Sequence, residues 1–240
     1  MRAVSSAERV FDVPVSIRAA MVALGFLPLM HVAAALTPVV MVFRGADRWL
    51  LVLAPVILFL LPPLLVRLAT WLRPLPVGRI ELASPEFLRW WFTAQCQIVF
   101  ARLPWLEELL RLVPALYSLW LRAWGAKIGA LVYWSPGVVI LDRSCVVVGD
   151  RVAFGFGVRL NPHVIAKVAG GRAALYLAPI TIGSDALIGG YSILLTGCVV
   201  AAGEVTPPFR SIHAYTRLEG GQRSRLATAP AMDSLDAMVQ

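Results

Sequence analysis

The residue best suited to do chemistry is His163, one of three histidines in the chain. An imidazole takes up and returns protons near neutral pH, so it commonly serves as the base that activates a hydroxyl or amine. His31 lies in a long apolar run and His213 lies beyond Pro208, whereas His163 ends a repeated pattern just before a stretch that breaks it. His163 is therefore the candidate catalytic base. A surface corner histidine bonded to its own backbone is the alternative.

Six-residue repeats must position this histidine. From Ile182 to Val205 an aliphatic residue stands at every sixth position, usually followed by a small residue. A period of six fits neither an α-helix nor an alternating strand, and it predicts short stacked strands joined by corners. The same phase starts at Ile128 and, after a two-residue slip, resumes at Val148. The interpretation is a repeat domain over residues 128–210, stacked about three and a third coils high.

Two stretches depart from this phase. Residues 166–179 are predicted to leave the stack as a loop and a strand. Pro207 and Pro208 are predicted to stop the repeats, which leaves residues 211–240 as an extended tail.

The N-terminal residues 1–78 predict a membrane hairpin. The chain is 59% hydrophobic and 15% charged, and the runs Ala19–Phe43 and Trp49–Val66 contain no Asp, Glu, Lys or Arg. Each is long enough for a bilayer core, although three prolines leave open whether the second crosses fully. Arginines predominate outside the short loop of residues 44–48, which predicts a two-span protein of the cell inner membrane with its catalytic domain in the cytoplasm. The flanking arginines are Arg2, Arg9, Arg18, Arg67, Arg73, Arg79 and Arg89.

Residues 79–127 predict short amphipathic helices, with Ser84 as a cap and breaks at Pro104 and Pro114. Their tryptophans suit the lipid interface, and their apolar faces suit the open end of a repeat stack. Both roles remain open for the same helix. The net charge of +8 points to anionic lipid, and no compact basic run indicates nucleic acid. Cys96, Cys145 and Cys198 predict buried free thiols in a reducing compartment.

The hexads, the histidine-bearing break LNPHVI and the junction LWLRAWGAKIG resemble the hexapeptide-repeat acyltransferases, especially the subgroup that modifies polysaccharides and other envelope components. The resemblance covers roughly residues 115–210. It implies a left-handed parallel β-helix, an exception to the right-handed crossover rule. It also implies a homotrimer that moves an acetyl group from acetyl-CoA to a hydroxyl or amine without a metal.

The resemblance also implies site residues. His163 acts as the base, and the backbone near Gly190, 27 positions beyond it, approaches the thioester sulfur together with Gly189. Ala201 and Ala202 are the positions implied for the pantetheine arm. Ordinary corner glycines are the alternative for Gly189 and Gly190.

The acceptor side is less defined. Asn161 is a candidate for binding the acceptor, although turn preference explains it equally well. The acid that orients His163 stays open between Asp142, Asp150 and Glu204.

These features together predict a membrane-attached O-acyltransferase that acetylates a sugar, a lipid-linked sugar or another envelope component. A β-helical carbonic anhydrase would need three histidine ligands, and the repeats contain one. A catalytically silent scaffold for envelope-synthesis enzymes is the alternative from another class.

Overall fold

The computed structural model describes residues 13–167 and 173–228. The predictions that fall on residues 1–12, 168–172 and 229–240, including those on Arg2 and Arg9, lie outside this part of the chain. Six helices precede the repeats. They are α1 (Val15–Leu24), α2 (Leu27–Phe43), α3 (Leu53–Leu72), α4 (Pro85–Arg102), α5 (Trp105–Arg111) and α6 (Leu116–Trp124), with a 3-10 turn at Arg48–Val52 before α3.

The repeats form a column with three faces of parallel strands. Face 1 consists of β2 (Lys127–Ile128), β5 (Val146–Val148), β10 (Ile180–Ile182), β13 (Val199–Val200) and β16 (Thr216–Glu219). Face 2 consists of β3 (Tyr133–Trp134), β6 (Ala153–Phe154), β11 (Leu187–Ile188) and β14 (Val205–Thr206). Face 3 consists of β4 (Val139–Ile140), β7 (Arg159–Asn161), β12 (Ile193–Leu195) and β15 (Ser211–Ile212). The predicted left-handed parallel β-helix preceded by α-helices is confirmed.

The residues at every sixth position fill the inside of the column. Ile182, Ile188, Leu194 and Val200 are all buried, and each pairs in register with its counterpart one coil away. Burying such a side chain contributes roughly 1.5–3 kcal/mol.

The stack continues past the predicted end. Thr206, Ile212 and Leu218 keep the six-residue phase and are buried on the three faces in turn. The prediction that Pro207 and Pro208 end the repeats is wrong, because both lie at a corner where no ladder N–H is required. The predicted domain end at 210 and the extended tail from 211 are corrected accordingly. β16 turns back into the antiparallel strand β17 (Gln222–Arg225).

Small residues at the corners let successive coils approach closely. A Cβ added to Gly155 would lie 2.4 Å from the Gly190 nitrogen, which is backbone and cannot move aside. We expect Gly155→Ala to lower the free energy of unfolding by about 3 kcal/mol. Gly203 is the matched control, because its added Cβ meets nothing within 4 Å and only its positive φ makes alanine unfavourable, by about 1 kcal/mol. Thermal unfolding of both purified variants checks this, and equal melting points would contradict it.

The described part of the predicted excursion at 166–179 belongs to an antiparallel strand pair, and the predicted loop at 168–172 lies outside the described residues. β8 (His163–Lys167) and β9 (Ala173–Leu177) pair antiparallel, and β1 (Gly78–Glu81) adds a third strand beside β9. The strand β1 was not predicted, and it ties the start of the 79–127 segment to the excursion.

The predicted helices are present. Ser84 caps α4 by accepting a hydrogen bond from the Phe87 N–H at 3.2 Å, and α4 and α5 end before Pro104 and Pro114. Trp120 and Trp124 on the inner face of α6 are buried against the first coil, so α6 caps the stack. The stretches Val15–Phe43 and Arg48–Leu72 are long and apolar enough to be candidate membrane spans.

Candidate active site

The corner where the chain passes from face 3 to face 1 carries the candidate site. We call this corner of the column the histidine edge. It contains residues 141–145 in the first coil, 162–167 and 173–179 in the second, 196–198 in the third and 213–215 in the fourth. His163 begins β8 on this edge, and its side chain is 23% exposed.

Asp142 orients the imidazole. Its carboxylate oxygen Oδ2 contacts Nδ1 of His163, and its side chain is only 4% exposed. Because Nδ1 is engaged by the carboxylate, the proton of a neutral imidazole resides there and Nε2 is left to accept a proton. Of the three acids that the sequence left open, Asp142 is the one beside His163.

Trp90 on α4 completes the arrangement. Its indole N–H donates to Asp142 Oδ1 at 2.9 Å, so both carboxylate oxygens are engaged and Oδ2 is turned towards His163. The Trp90 and His163 rings also meet edge to face, with their centroids 4.8 Å apart. This contact limits the rotation of the imidazole. From the sequence, Trp90 is predicted only as part of an amphipathic helix at the lipid interface or at the open end of the stack.

A buried ion pair fixes the turn that bears Asp142. Arg143 is 1% exposed and bonds to the buried Glu107 of α5. Gln97 Oε1 accepts from the backbone N–H of Arg143 at 2.9 Å and from its guanidinium at 3.0 Å. Separating a buried pair of this kind typically costs 3–5 kcal/mol. The position of Asp142 is therefore determined by α4 and α5 as well as by the coil.

Of the other predicted site residues, one lies next to the histidine edge and four lie on the other two edges of the column. Asn161 ends β7, two residues before His163, and is half-buried on the same side of the column. Gly189 and Gly190 lie at the corner between faces 2 and 3, and Ala201 and Ala202 lie at the corner between faces 1 and 2. Within one chain these four residues are therefore not brought to His163.

The two rejected acids have other partners. Asp150 Oδ1 accepts from the Ala130 N–H at 2.7 Å, and Glu204 Oε1 accepts from the Gly221 N–H at 3.0 Å. Both carboxylates therefore bond to backbone at other corners.

The cysteine nearest this site is unsuited to nucleophilic chemistry. Burial, followed by the charge of Asp142, raises the pKa of the Cys145 thiol to about 12, and burial raises that of Cys198 to about 12. At pH 8 roughly one thiol in 10⁴ is then a thiolate, and this fraction grows only as the pH approaches 12. We expect no alkylation by iodoacetamide within an hour at pH 8 in the folded protein and full alkylation after denaturation. Peptide mass spectrometry reads this out, and rapid labelling of native Cys145 would contradict it.

Comparison with family models and with curated proteins finds no match. Among solved structures, a hexapeptide-repeat-containing acetyltransferase from Vibrio cholerae is 18% identical over 63% of this chain and 97% of its own, with a TM-score of 0.34. The structure of a hexapeptide-repeat-containing acetyltransferase in complex with acetyl coenzyme A, from Vibrio cholerae O1 biovar eltor, is 19% identical over 58% of this chain and 91% of its own, with a TM-score of 0.34. A Neisseria gonorrhoeae serine acetyltransferase is 18% identical over 74% of this chain and 69% of its own, with a TM-score of 0.18.

TM-scores of 0.34 and 0.18 carry no weight for fold or function. The chain's own strand pairing decides its class, since parallel strands recur at six-residue steps on three faces. The chain is a hexapeptide-repeat protein. In such a protein, residues at equal phase in successive coils lie side by side.

Aligning the first two coils by their six-residue phase would have identified Asp142 as the acid beside His163. Ile140 pairs with Leu160 one coil away, so the corners that follow these residues are neighbours. Asp142 and His163 stand two and three positions after this pair. The two-residue slip that interrupts the hexads is the 3-10 turn Arg143–Cys145. Trp90 has no comparable signal, because it lies 52 residues from Asp142 in sequence.

Proposed function

We propose that this hexapeptide-repeat protein is an acyl-CoA-dependent O-acetyltransferase. The observation that carries the proposal is the pair formed by Asp142 and His163 at the rim of the column. A buried carboxylate that holds an imidazole by Nδ1 is the arrangement required of a general base. A purely structural corner would not require this pair.

The proposed transfer is direct, within a ternary complex. Nε2 of His163 takes the proton of an acceptor hydroxyl as its oxygen attacks the thioester carbonyl of acetyl-CoA. The tetrahedral oxyanion collapses with cleavage of the carbon–sulfur bond. The imidazolium returns its proton to the thiolate, so CoA and the acetyl ester leave and the base is regenerated. The high pKa of the neighbouring Cys145 thiol supports a path without an acyl-cysteine.

A second copy of the chain completes the site in this proposal. Gly189, Gly190, Ala201 and Ala202 lie on the other two edges. A homotrimer places an edge of one subunit beside the histidine edge of the next, and the backbone near Gly190 then reaches the oxyanion.

The acceptor is proposed to be a hydroxyl of a sugar, a lipid-linked sugar or another envelope component at the inner membrane. Helix α1 supports this location, because the Trp91 indole beside Trp90 donates to the Met21 carbonyl of α1 at 3.1 Å. Only two aromatic side chains therefore separate His163 from an apolar helix. The catalytic domain faces the cytoplasm, where acetyl-CoA is made.

Mass spectrometry of envelope glycans and lipids tests this function in cells that contain the chain, lack it, or contain only the His163→Ala variant. The expected result is the loss of an acetyl mass from one glycan or lipid in both the deletion and the variant. A glycan and lipid profile that the deletion alters and the variant restores would favour the silent scaffold.

A further inference from the structure

The part of the α2–α3 hairpin nearest the repeat domain packs against α4 and α6. The Phe59 ring of α3 lies 5.7 Å from that of Phe100 on α4 and 6.4 Å from that of Trp120 on α6. The Trp120 indole donates to the Phe59 carbonyl at 2.7 Å, and Val66, two turns further along α3, is fully buried. The compact domain therefore reaches at least as far up the hairpin as Phe59.

The part of the hairpin that projects beyond this level is too short for a bilayer. Between Phe59 and the loop, one stretch of α3 and the 3-10 turn extend roughly 20 Å at their usual rises. A hydrocarbon core is about 30 Å thick. The loop bears Arg44, Asp47 and Arg48, which are costly at the bilayer centre and belong in the far headgroups. If the hairpin crosses, roughly 10 Å of hydrocarbon must then lie at the level of α4 and α6.

Apart from Arg122, the exposed residues of α5, of α6 and of the segment between them are apolar, which suits contact with the hydrocarbon core of a bilayer. Leu112, directly after α5, is 77% exposed and Leu119 of α6 is 53% exposed, although the opposite faces of both helices are buried. We call the exposed set the outer face. It consists of Trp105, Leu109, Leu112, Val113, Leu116 and Leu119.

The charges around the outer face suit a lipid leaflet. The acidic residues of α5 turn inward, since Glu107 bonds to Arg143 and Glu108 accepts from Arg111 and from the Gly137 N–H. Arg102 is exposed at the end of α4, where a cationic side chain suits anionic headgroups, whereas the guanidinium of Arg122 donates to the Ile128 and Gly129 carbonyls of the first coil.

We propose that the outer face is embedded in the near leaflet and that its partner is the lipid acyl chains. This inference rests on the membrane attachment in the proposed function but not on acetyl transfer. The catalytic domain is then attached to the membrane by the outer face as well as by the two spans. The edge that carries His163 is then held near the bilayer, because α4, whose Trp90 bonds to Asp142, packs against α5 and against the helices of the hairpin.

Site-directed spin labelling tests the outer face in the full chain reconstituted into phosphatidylcholine–phosphatidylglycerol nanodiscs. Leu112→Cys and Leu119→Cys each receive one nitroxide, because the native cysteines are buried. Leu36→Cys on α2 is the lipid-exposed control, and Gln222→Cys on β17 is the water-exposed control. Collision with oxygen is compared with collision with a water-soluble nickel chelate.

The expected result is that both outer-face labels match Leu36→Cys, with oxygen favoured over nickel by severalfold. Labels that match Gln222→Cys would overturn the proposal. Labels shielded from both reagents and broadened by a second nitroxide would also overturn it, since a second copy would then cover the face. The measurement uses no acetyl-CoA, so a protein without transferase activity gives the same answer and the two proposals fail separately.

Discussion

Replacing His163 by alanine is expected to lower kcat for acetyl transfer by about 10²–10⁴-fold. The variant lacks the imidazole that Asp142 orients, which is the proposed acceptor of the proton from the substrate hydroxyl. Because the side chain is partly exposed at a corner, its removal leaves the column intact. The measurement is the rate of CoA release by purified full-length protein with membrane extract as acceptor.

Two controls make this result specific. The melting point and the dissociation constant for acetyl-CoA of His163→Ala are expected to equal those of the unmodified chain. His213→Ala serves as the matched control, because His213 lies on the same edge two coils away and is expected to retain full activity. A His163→Ala variant with full activity would refute the assignment of the base.

Asp142→Asn is expected to lower kcat by about 10²–10⁴-fold while the fold is preserved. The Trp90 indole must still donate to an oxygen of the side chain, so the new amide nitrogen faces His163. That nitrogen is a donor, so it selects the imidazole tautomer protonated on Nε2. The nitrogen that should take the acceptor proton then already carries one.

Trp90→Phe is the graded companion to this variant. Phenylalanine keeps a ring beside His163 but removes the donor to Asp142, so the carboxylate is free to turn. A loss of about tenfold is expected, smaller than for Asp142→Asn. If Trp90→Phe lowers activity as much as Asp142→Asn without loss of stability, the tautomer explanation is wrong. The same kinetic assay decides between these outcomes.

The sequence predicts the column because its signal is local and periodic. Ile182, Ile188, Leu194 and Val200 each have to fill the same kind of space, so one side-chain class recurs at one spacing. The end of the column escapes prediction because Thr206 takes an interior position as a polar residue. Its hydroxyl accepts from the Gly189 N–H at 2.9 Å, which makes a polar side chain acceptable inside.

The site is only half predictable from sequence. His163 stands out because a histidine beside an interrupted repeat is unusual, whereas Asp142 resembles any corner aspartate until its coil is aligned with the next. Trp90 and Gln97 act through contacts between a helix and a turn about 50 residues away in sequence. Local sequence patterns do not predict contacts over such a separation. The four positions implied for acetyl-CoA lie on the other two edges of the column, and only the proposed homotrimer would bring them to His163.

Transfer of a labelled acetyl group tests the central claim most directly. Purified full-length protein is incubated with trideuteroacetyl-CoA and inner-membrane extract, and products are searched by mass spectrometry for the added trideuteroacetyl mass. We predict a labelled glycan or lipid with the unmodified chain and none with His163→Ala or Asp142→Asn. Equal labelling by all three proteins, or trideuteroacetyl found on a cysteine of the chain during turnover, would contradict it.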